Sequence, residues 1–166
     1  MRSVLAGAGV DALVVPGGAD RTESVRLALD AALGESPDTS IVLVHDAARA
    51  FTPPELVRAV TAAVAAGAPA VVPVLPVADT IKQVDAYEIV TATVDRTHLR
   101  AVQTPQGFAV DVLCRAHKDA SGATDDAGLV ERLGIPVSTV PGHPAAMKIT
   151  TPFDLAVAEA LLRAGS

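Results

Sequence analysis

Polar residues that follow apolar runs in this chain have types suited to phosphate chemistry. VHDAAR, Val44 to Arg49, sets an Asp just beyond an apolar run. An Asp there can hold a hydrated Mg²⁺, which prefers carboxylate oxygens and keeps several waters. Arg49 carries a planar fork that matches phosphate. A structural reading fits the same residues equally well, with Asp46 capping the loop and Arg49 paired to it. His45 alone reads as a hydrogen-bonded structural histidine.

GGADRTES, Gly17 to Ser24, offers two glycines that let backbone approach a ligand. Ser24 falls in the first turn of the helix that follows. A plain glycine turn before a helix accounts for this segment too. QTPQGF, Gln103 to Phe108, crowds polar side chains into a Pro-stiffened loop after a strand. Lys148 of MKIT stands in a short apolar strand, where burial requires an anionic partner. Taken alone, it reads better as a surface Lys on an edge strand. Thr124 and Asp125 open a helix, where capping is the default role. Thr80, Lys82 and Arg96 sit on two alternating strands. Gathered at one end of a sheet, these cations and hydroxyls have the composition that binds phosphates.

The elements that must position them alternate between strand and helix. Asp11–Val15 reads as a strand and Arg21–Leu33 as a helix with Val25, Leu29, Ala32 and Leu33 on one face. Ser40–His45 is a continuous apolar run of the kind found in central parallel strands. Thr52 to Glu55 reads as a capping box with Pro53 at the first helical position, and Gly67 ends that helix. Ala70–Val74 is a buried strand. Asp79 to Leu99 breaks the rhythm with two alternating runs around Asp85-Ala86-Tyr87, a hairpin arm inserted at about 79–99. Ala101–Thr104 is a strand, Ala109–His117 a helix, and Asp125–Leu133 a helix capped by Thr124. Val137–Val140 and Met147–Thr150 are strands. Thr151-Pro152-Phe153-Asp154 opens the last helix. The expectation is α/β: one Rossmann-like, mostly parallel sheet covered by helices, a single domain over residues 1–166. Sites in such sheets lie beyond the carboxyl ends of the strands.

Composition excludes other classes. With three Phe, one Tyr, no Trp and a formal charge of −6, the chain has neither a base-stacking surface nor a polyanion-binding patch, so no nucleic-acid partner is expected. The one cysteine, Cys114, lies in a helical run and reads as a buried, inert thiol. The uncharged stretch between Arg58 and Asp79 has the length of a membrane span, but Gly67, Pro69, Pro73 and Pro76 interrupt it. Asp11 breaks the apolar run that follows Arg2, so no leader is expected. These readings point to a soluble, cytoplasmic domain with no membrane partner.

In order, GGxxRxxSV, VHDAAR, PVxDTIK, the Arg-containing arm strand, QTPQxF, TDDA and KIT-xPxDL-xxAE resemble the 2-C-methyl-D-erythritol 4-phosphate cytidylyltransferase family of non-mevalonate isoprenoid synthesis. The resemblance runs from about Val14 to Leu162. It implies a Mg²⁺-dependent transfer of CMP from CTP to the polyol phosphate, releasing pyrophosphate. By position it gives Gly18, Ser24, Asp46 and Ala47 to the nucleotide, with Asp46 also beside the metal. It gives Arg96 and Lys148 to positioning of the attacking phosphate, and Arg49, Thr80, Thr104 and Thr124 to the substrate pocket. It implies a homodimer in which the arm brings Thr80 and Arg96 to the neighbouring site.

Family members open with a strand and a loop of the form LAAAGxGxR followed by a Lys, which holds the triphosphate. Ala6-Gly7-Ala8-Gly9 does not match that pattern. The expectation is therefore a partial domain lacking the first strand and the glycine-rich loop. Such a chain would have little activity alone, an exposed apolar sheet edge and poor solubility. Other readings are a cytidylyltransferase for another polyol phosphate such as ribitol 5-phosphate, and a non-catalytic truncated homologue that lends Arg96 to a full-length partner. A dinucleotide-binding Rossmann domain is disfavoured by the absence of a strand–GxGxxG–helix opening.

Overall fold

A computed structural model of the chain describes Leu5, Gly7, residues 9–118 and residues 123–164. Arg2, and Ala6 and Ala8 of the glycine-containing stretch, lie outside the described residues. The elements run α1 (Arg21–Glu35), β1 (Ile41–Val44), α2 (Pro54–Ala65), β2 (Ala70–Pro76), β3 (Ile81–Val84), β4 (Val90–Val94), β5 (Arg100–Val102), β6 (Gln106–Ala109), α3 (Val110–Lys118), α4 (Asp126–Arg132), β7 (Ser138–Pro141), a 3-10 turn (Pro144–Ala146) and α5 (Pro152–Ala164).

The α/β architecture holds, but the sheet is mixed rather than mostly parallel. β5 and β6 follow one edge of β2 in turn, both antiparallel to it, and β7 pairs parallel on the other edge. β6 also pairs antiparallel with β1, so β1, β2 and β7 share one direction. The arm explains the reversal. The chain leaves β2 through a hairpin and returns with no crossover helix, which gives an antiparallel neighbour.

Side chains alternate across β2. Val71 meets Val60 and Val64 of α2 on one face. Ala70 packs on the other, in a core built from Leu29, Phe108, Val112, Leu113, Leu129 and Val130 of α1, β6, α3 and α4. Half-buried Cys114 packs against this core. A Cβ on Gly107 of β6 would lie 2.5 Å from Val60 Cγ1, so only glycine lets α2 approach there.

Several local expectations are corrected. Residues 11–15 carry no regular structure and do not join the sheet. β1 is an edge strand of half-exposed residues paired only to β6 among the described residues. An apolar run has strand propensity, but a ladder needs a neighbour, and periodicity does not supply one. Gln106–Ala109, expected in a loop, is an internal strand. Thr52 does not cap α2. Pro53 takes that place without a side-chain bond, while the Thr52 hydroxyl donates to the Arg49 carbonyl. Asp125, not Thr124, caps α4 by accepting from the Gly128 N–H. Residues 147–150 form no strand, and the Ile149 N–H donates to the Ala48 carbonyl across the site.

The arm forms as expected. β3 and β4 make a separate two-stranded sheet, with the Asp85 carboxylate accepting from the Tyr87 and Ile89 N–H groups at its tip. Thr80 directly precedes β3, and Arg96 lies past the end of β4 rather than on it. Among the described residues, no helix is long and apolar enough to cross a membrane.

Candidate active site

Asp46 leaves the carboxyl end of β1 and gathers two cations. Its Oδ2 lies 3.1 Å from Lys148 Nζ and 3.5 Å from Arg49 Nε. Asp46 and Arg49 are largely buried, at 18% and 13% exposed, whereas Lys148 is 47% exposed. One carboxylate against two cations leaves an excess of positive charge facing solvent, which suits an anionic ligand. Arg49 is partly spent, because its Nη1 donates to the Ala146 carbonyl at 2.8 Å. Lys148 is thus the surface lysine that its sequence position suggested, though off any strand and paired with Asp46.

Buried side chains from the β5–β6 junction hold this cluster. Gln103 Nε2 donates to the His143 carbonyl at 2.9 Å and the Ala146 carbonyl at 3.3 Å, and its Oε1 accepts from the His143 N–H at 2.9 Å. It thus clamps the turn that precedes Lys148. Gly142 permits the clamp, since a Cβ there would fall 2.4 Å from Gln103 Oε1. Thr104 Oγ1 accepts from the Asp46 N–H at 3.0 Å and lies 3.0 Å from His45 Nδ1. At 4% exposed, Thr104 sits behind the cluster, where it supports His45 and Asp46.

Across β1, a cavity of about 480 Å³ is lined by Arg21, Ser24, Leu29, His45, Asp46 and Ala47, among others. Ser24 organises the loop above it. Its hydroxyl donates to the Asp20 carbonyl and accepts from the Gly18 N–H. Asp20 caps α1 through the Glu23 N–H, and Glu23 accepts in return from the Ala19 N–H. Gly18, Ser24, Asp46 and Ala47 are thus brought to one region. Val42, Leu43 and Val44 of β1 also line the cavity, so its wall along this edge strand is apolar.

A second buried network fixes α1 and α4. Asp126 is fully buried, with Oδ1 2.9 Å from His117 Nε2 and Oδ2 2.7 Å from Arg21 Nη2. Burial pushes its carboxyl up, but the His117 hydrogen bond and the Arg21 charge outweigh that and hold it below its ordinary value. Gln106 Nε2 donates to Asp125, and its Oε1 accepts from the Ala127 N–H. Sequence reasoning quoted QTPQGF and TDDA as motifs but gave no role to Gln103, Gln106, His117 or Asp126. Their signal was polarity inside apolar surroundings, which has meaning only once burial is known.

Arg96, Thr80 and Thr124 stand apart from this cluster. Arg96 Nη1 donates to the Val77 and Ala78 carbonyls at the base of the arm. Thr80 is exposed at the start of the arm. Thr124 lines another cavity with Glu131 and Arg132. As for a metal, the described residues contain no cluster of three or more acidic, His or Cys ligands. Asp46 alone, with Oδ2 already facing two cations, fits a Mg²⁺ completed by waters and phosphate oxygens rather than a protein cage.

An α/β sheet with a cation-rich cluster beyond its strand ends is the architecture of a domain that binds anionic ligands. Similarity to known proteins narrows this class. Residues 2–164 match the profile of IspD, 2-C-methyl-D-erythritol 4-phosphate cytidylyltransferase. The chain is 71% identical over 150 residues to the 2-C-methyl-D-erythritol 4-phosphate cytidylyltransferase of Saccharopolyspora erythraea, covering 90% of this chain and 67% of that one. It is 60% identical to the enzyme of that name from Nocardia farcinica, covering 90% and 63%. It is similar to the crystal structure of the Thermus thermophilus cytidylyltransferase, with a TM-score of 0.82 and 45% identity over 93% of this chain and 75% of that one. The chain belongs to the IspD family. It spans about two thirds or less of the length of these curated relatives.

Proposed function

We propose that the chain, as a single nucleotidyltransferase domain over 1–166 with its arm at about 79–99, serves transfer of CMP from CTP to 2-C-methyl-D-erythritol 4-phosphate. The observation that carries this is Lys148 held 3.1 Å from Asp46 beyond β1, beside the cavity that Ser24 and Ala47 line. The phosphate oxygen of the alcohol attacks the α-phosphorus of CTP. The bond from that phosphorus to the bridging oxygen breaks, and pyrophosphate leaves.

Gly18, Ser24 and Ala47 hold the cytidine side of the cavity. Lys148 and Arg49 neutralise phosphate charge, and their fixed placement stabilises charge as it develops. Asp46 orients Lys148 and would hold a Mg²⁺, which would supply neutralisation of phosphate charge. Thr124 and the arm residues Thr80 and Arg96 complete the alcohol-phosphate pocket, the latter two in the site of the neighbouring protomer of a homodimer. An arm that exposes Tyr87, Ile89 and Val90 supports that assembly.

Pyrophosphate release is the test, measured with the protein that contains this chain. Release that requires CTP, Mg²⁺ and 2-C-methyl-D-erythritol 4-phosphate together supports the reading. Equal rates with ribitol 5-phosphate, or release without any alcohol phosphate, overturn it.

A further inference from the structure

We propose that His45 is a further nucleotide-contacting residue, a hydrogen-bond donor whose proton is placed by Thr104; this rests on the cytidylyltransferase reading. The Asp46 backbone N–H carries a proton that cannot move, and it donates to Thr104 Oγ1 at 3.0 Å, so that oxygen is already an acceptor. Its own single hydrogen needs somewhere to go. Thr104 is 4% exposed, and among the described residues the other polar atom at hydrogen-bond distance is His45 Nδ1, 3.0 Å away. A buried hydroxyl hydrogen without an acceptor is costly. The balanced arrangement has Thr104 O–H donating to Nδ1, which places the imidazole hydrogen on Nε2.

The consequence lies on the other side of the ring. His45 is exposed and lines the cavity with Arg21, Ser24, Asp46 and Ala47. Locked this way, it offers a fixed Nε2–H donor to whatever occupies that cavity. An oxygen acceptor fits: a ribose hydroxyl or a phosphate oxygen of the nucleotide. The donor needs no reorganisation on binding, because the Thr104 bond is already made. Thr104 is then a positioning residue with two outputs, the Asp46 backbone and the His45 tautomer.

Long-range ¹H–¹⁵N NMR of the imidazole reads the tautomer directly in the protein that contains this chain. The expected result is Nε2–H in the wild type and in Thr104→Ser, and a tautomer mixture in Thr104→Val. A wild type with hydrogen on Nδ1 overturns the proposal, whether or not Thr104→Val folds. Titration with cytidine, inorganic pyrophosphate and CTP with Mg²⁺ then locates the acceptor. A shift of His45 Nε2 with cytidine assigns a ribose oxygen, and a shift with pyrophosphate assigns a phosphate oxygen. CTP that shifts the Ser24 amide but leaves Nε2 unmoved overturns the contact while leaving the wider reading intact. CTP that moves neither overturns both. His45→Phe is expected to weaken CTP binding by about five- to tenfold, the worth of one neutral hydrogen bond, and His45→Gln to restore most of it.

Discussion

His117 Nε2 lies 2.9 Å from Asp126 Oδ1 in the core, and the other oxygen of that carboxylate meets Arg21 Nη2 at 2.7 Å. One buried charge thus joins α3, α4 and the first residue of α1. Arg21 also lines the cavity beside Asp46, so the pin reaches the candidate site. Its charge, however, is committed to Asp126, whereas Arg49 and Lys148 keep an excess over their shared carboxylate.

Asp126→Asn is expected to destabilise the fold by roughly 3 kcal/mol at neutral pH, because it strands the other members of a buried charged network. The Arg21 share is smaller, since that side chain is 38% exposed. The sign with pH follows from the lowered carboxyl. A group more acidic folded than unfolded adds stability above its ordinary value, here 3.8, and loses it as pH falls through the folded value. Urea midpoints for wild type and variant should therefore converge on acidification below about pH 4. A constant gap across that range counts against the assignment.

Gln103→Leu removes the clamp on the turn before Lys148 and leaves the His143 N–H and carbonyl without their partner. The expected cost is about 2 kcal/mol in stability. Pyrophosphate release should fall further than this loss explains, by about ten- to a hundredfold, since displacement of a positioned cation is felt in the rate. Thermal unfolding and steady-state kinetics on the same variant separate the two effects.

The division between legible and hidden features follows from what periodicity encodes. α1, α2, β2 and the arm were legible, because the spacing of Leu29, of Val60 and Val64, and the alternation from Ile81 to Val94 reflect each element alone. Strand partners were not. SIVLVH has the same apolar run whether central or at an edge, and QTPQGF reads as a loop unless β2 and β1 are known to flank it. Candidate residues Gly18, Ser24, Asp46, Ala47 and Lys148, which the fold brings to one region, were proposed from resemblance and strand-end position. Gln103 and the Thr104–His45 contact were invisible, since a Gln or Thr beside a Pro is ordinary loop composition until burial is known.

Gly142→Ala tests the clamp from the opposite side. The added Cβ would sit 2.4 Å from Gln103 Oε1 and 3.0 Å from the Val74 carbonyl carbon and oxygen. The Val74 backbone lies inside β2 and cannot retreat, so the turn must shift. We expect a loss of about 1–3 kcal/mol, typical of overpacking. Amide exchange should rise at Gly142 and His143, while Leu113 and Val130 in the main core keep their protection. Uniform loss of protection instead marks global destabilisation and no local clamp.

Lys148→Ala separates charge from stability. Lys148 is 47% exposed, so its pair with Asp46 contributes at most about 1 kcal/mol, and thermal unfolding should barely move. Its place in the proposed reaction is different. It supplies fixed positive charge where phosphate charge develops, and removal of one such group costs about 10²–10³ in rate. Lys148→Arg is expected to recover only part of this, because a planar fork beside Asp46 cannot occupy the position of a compact ammonium. Measured kcat for pyrophosphate release should order wild type above Arg and Arg above Ala, at nearly constant unfolding temperature. An alanine variant that keeps wild-type kcat removes Lys148 from the site.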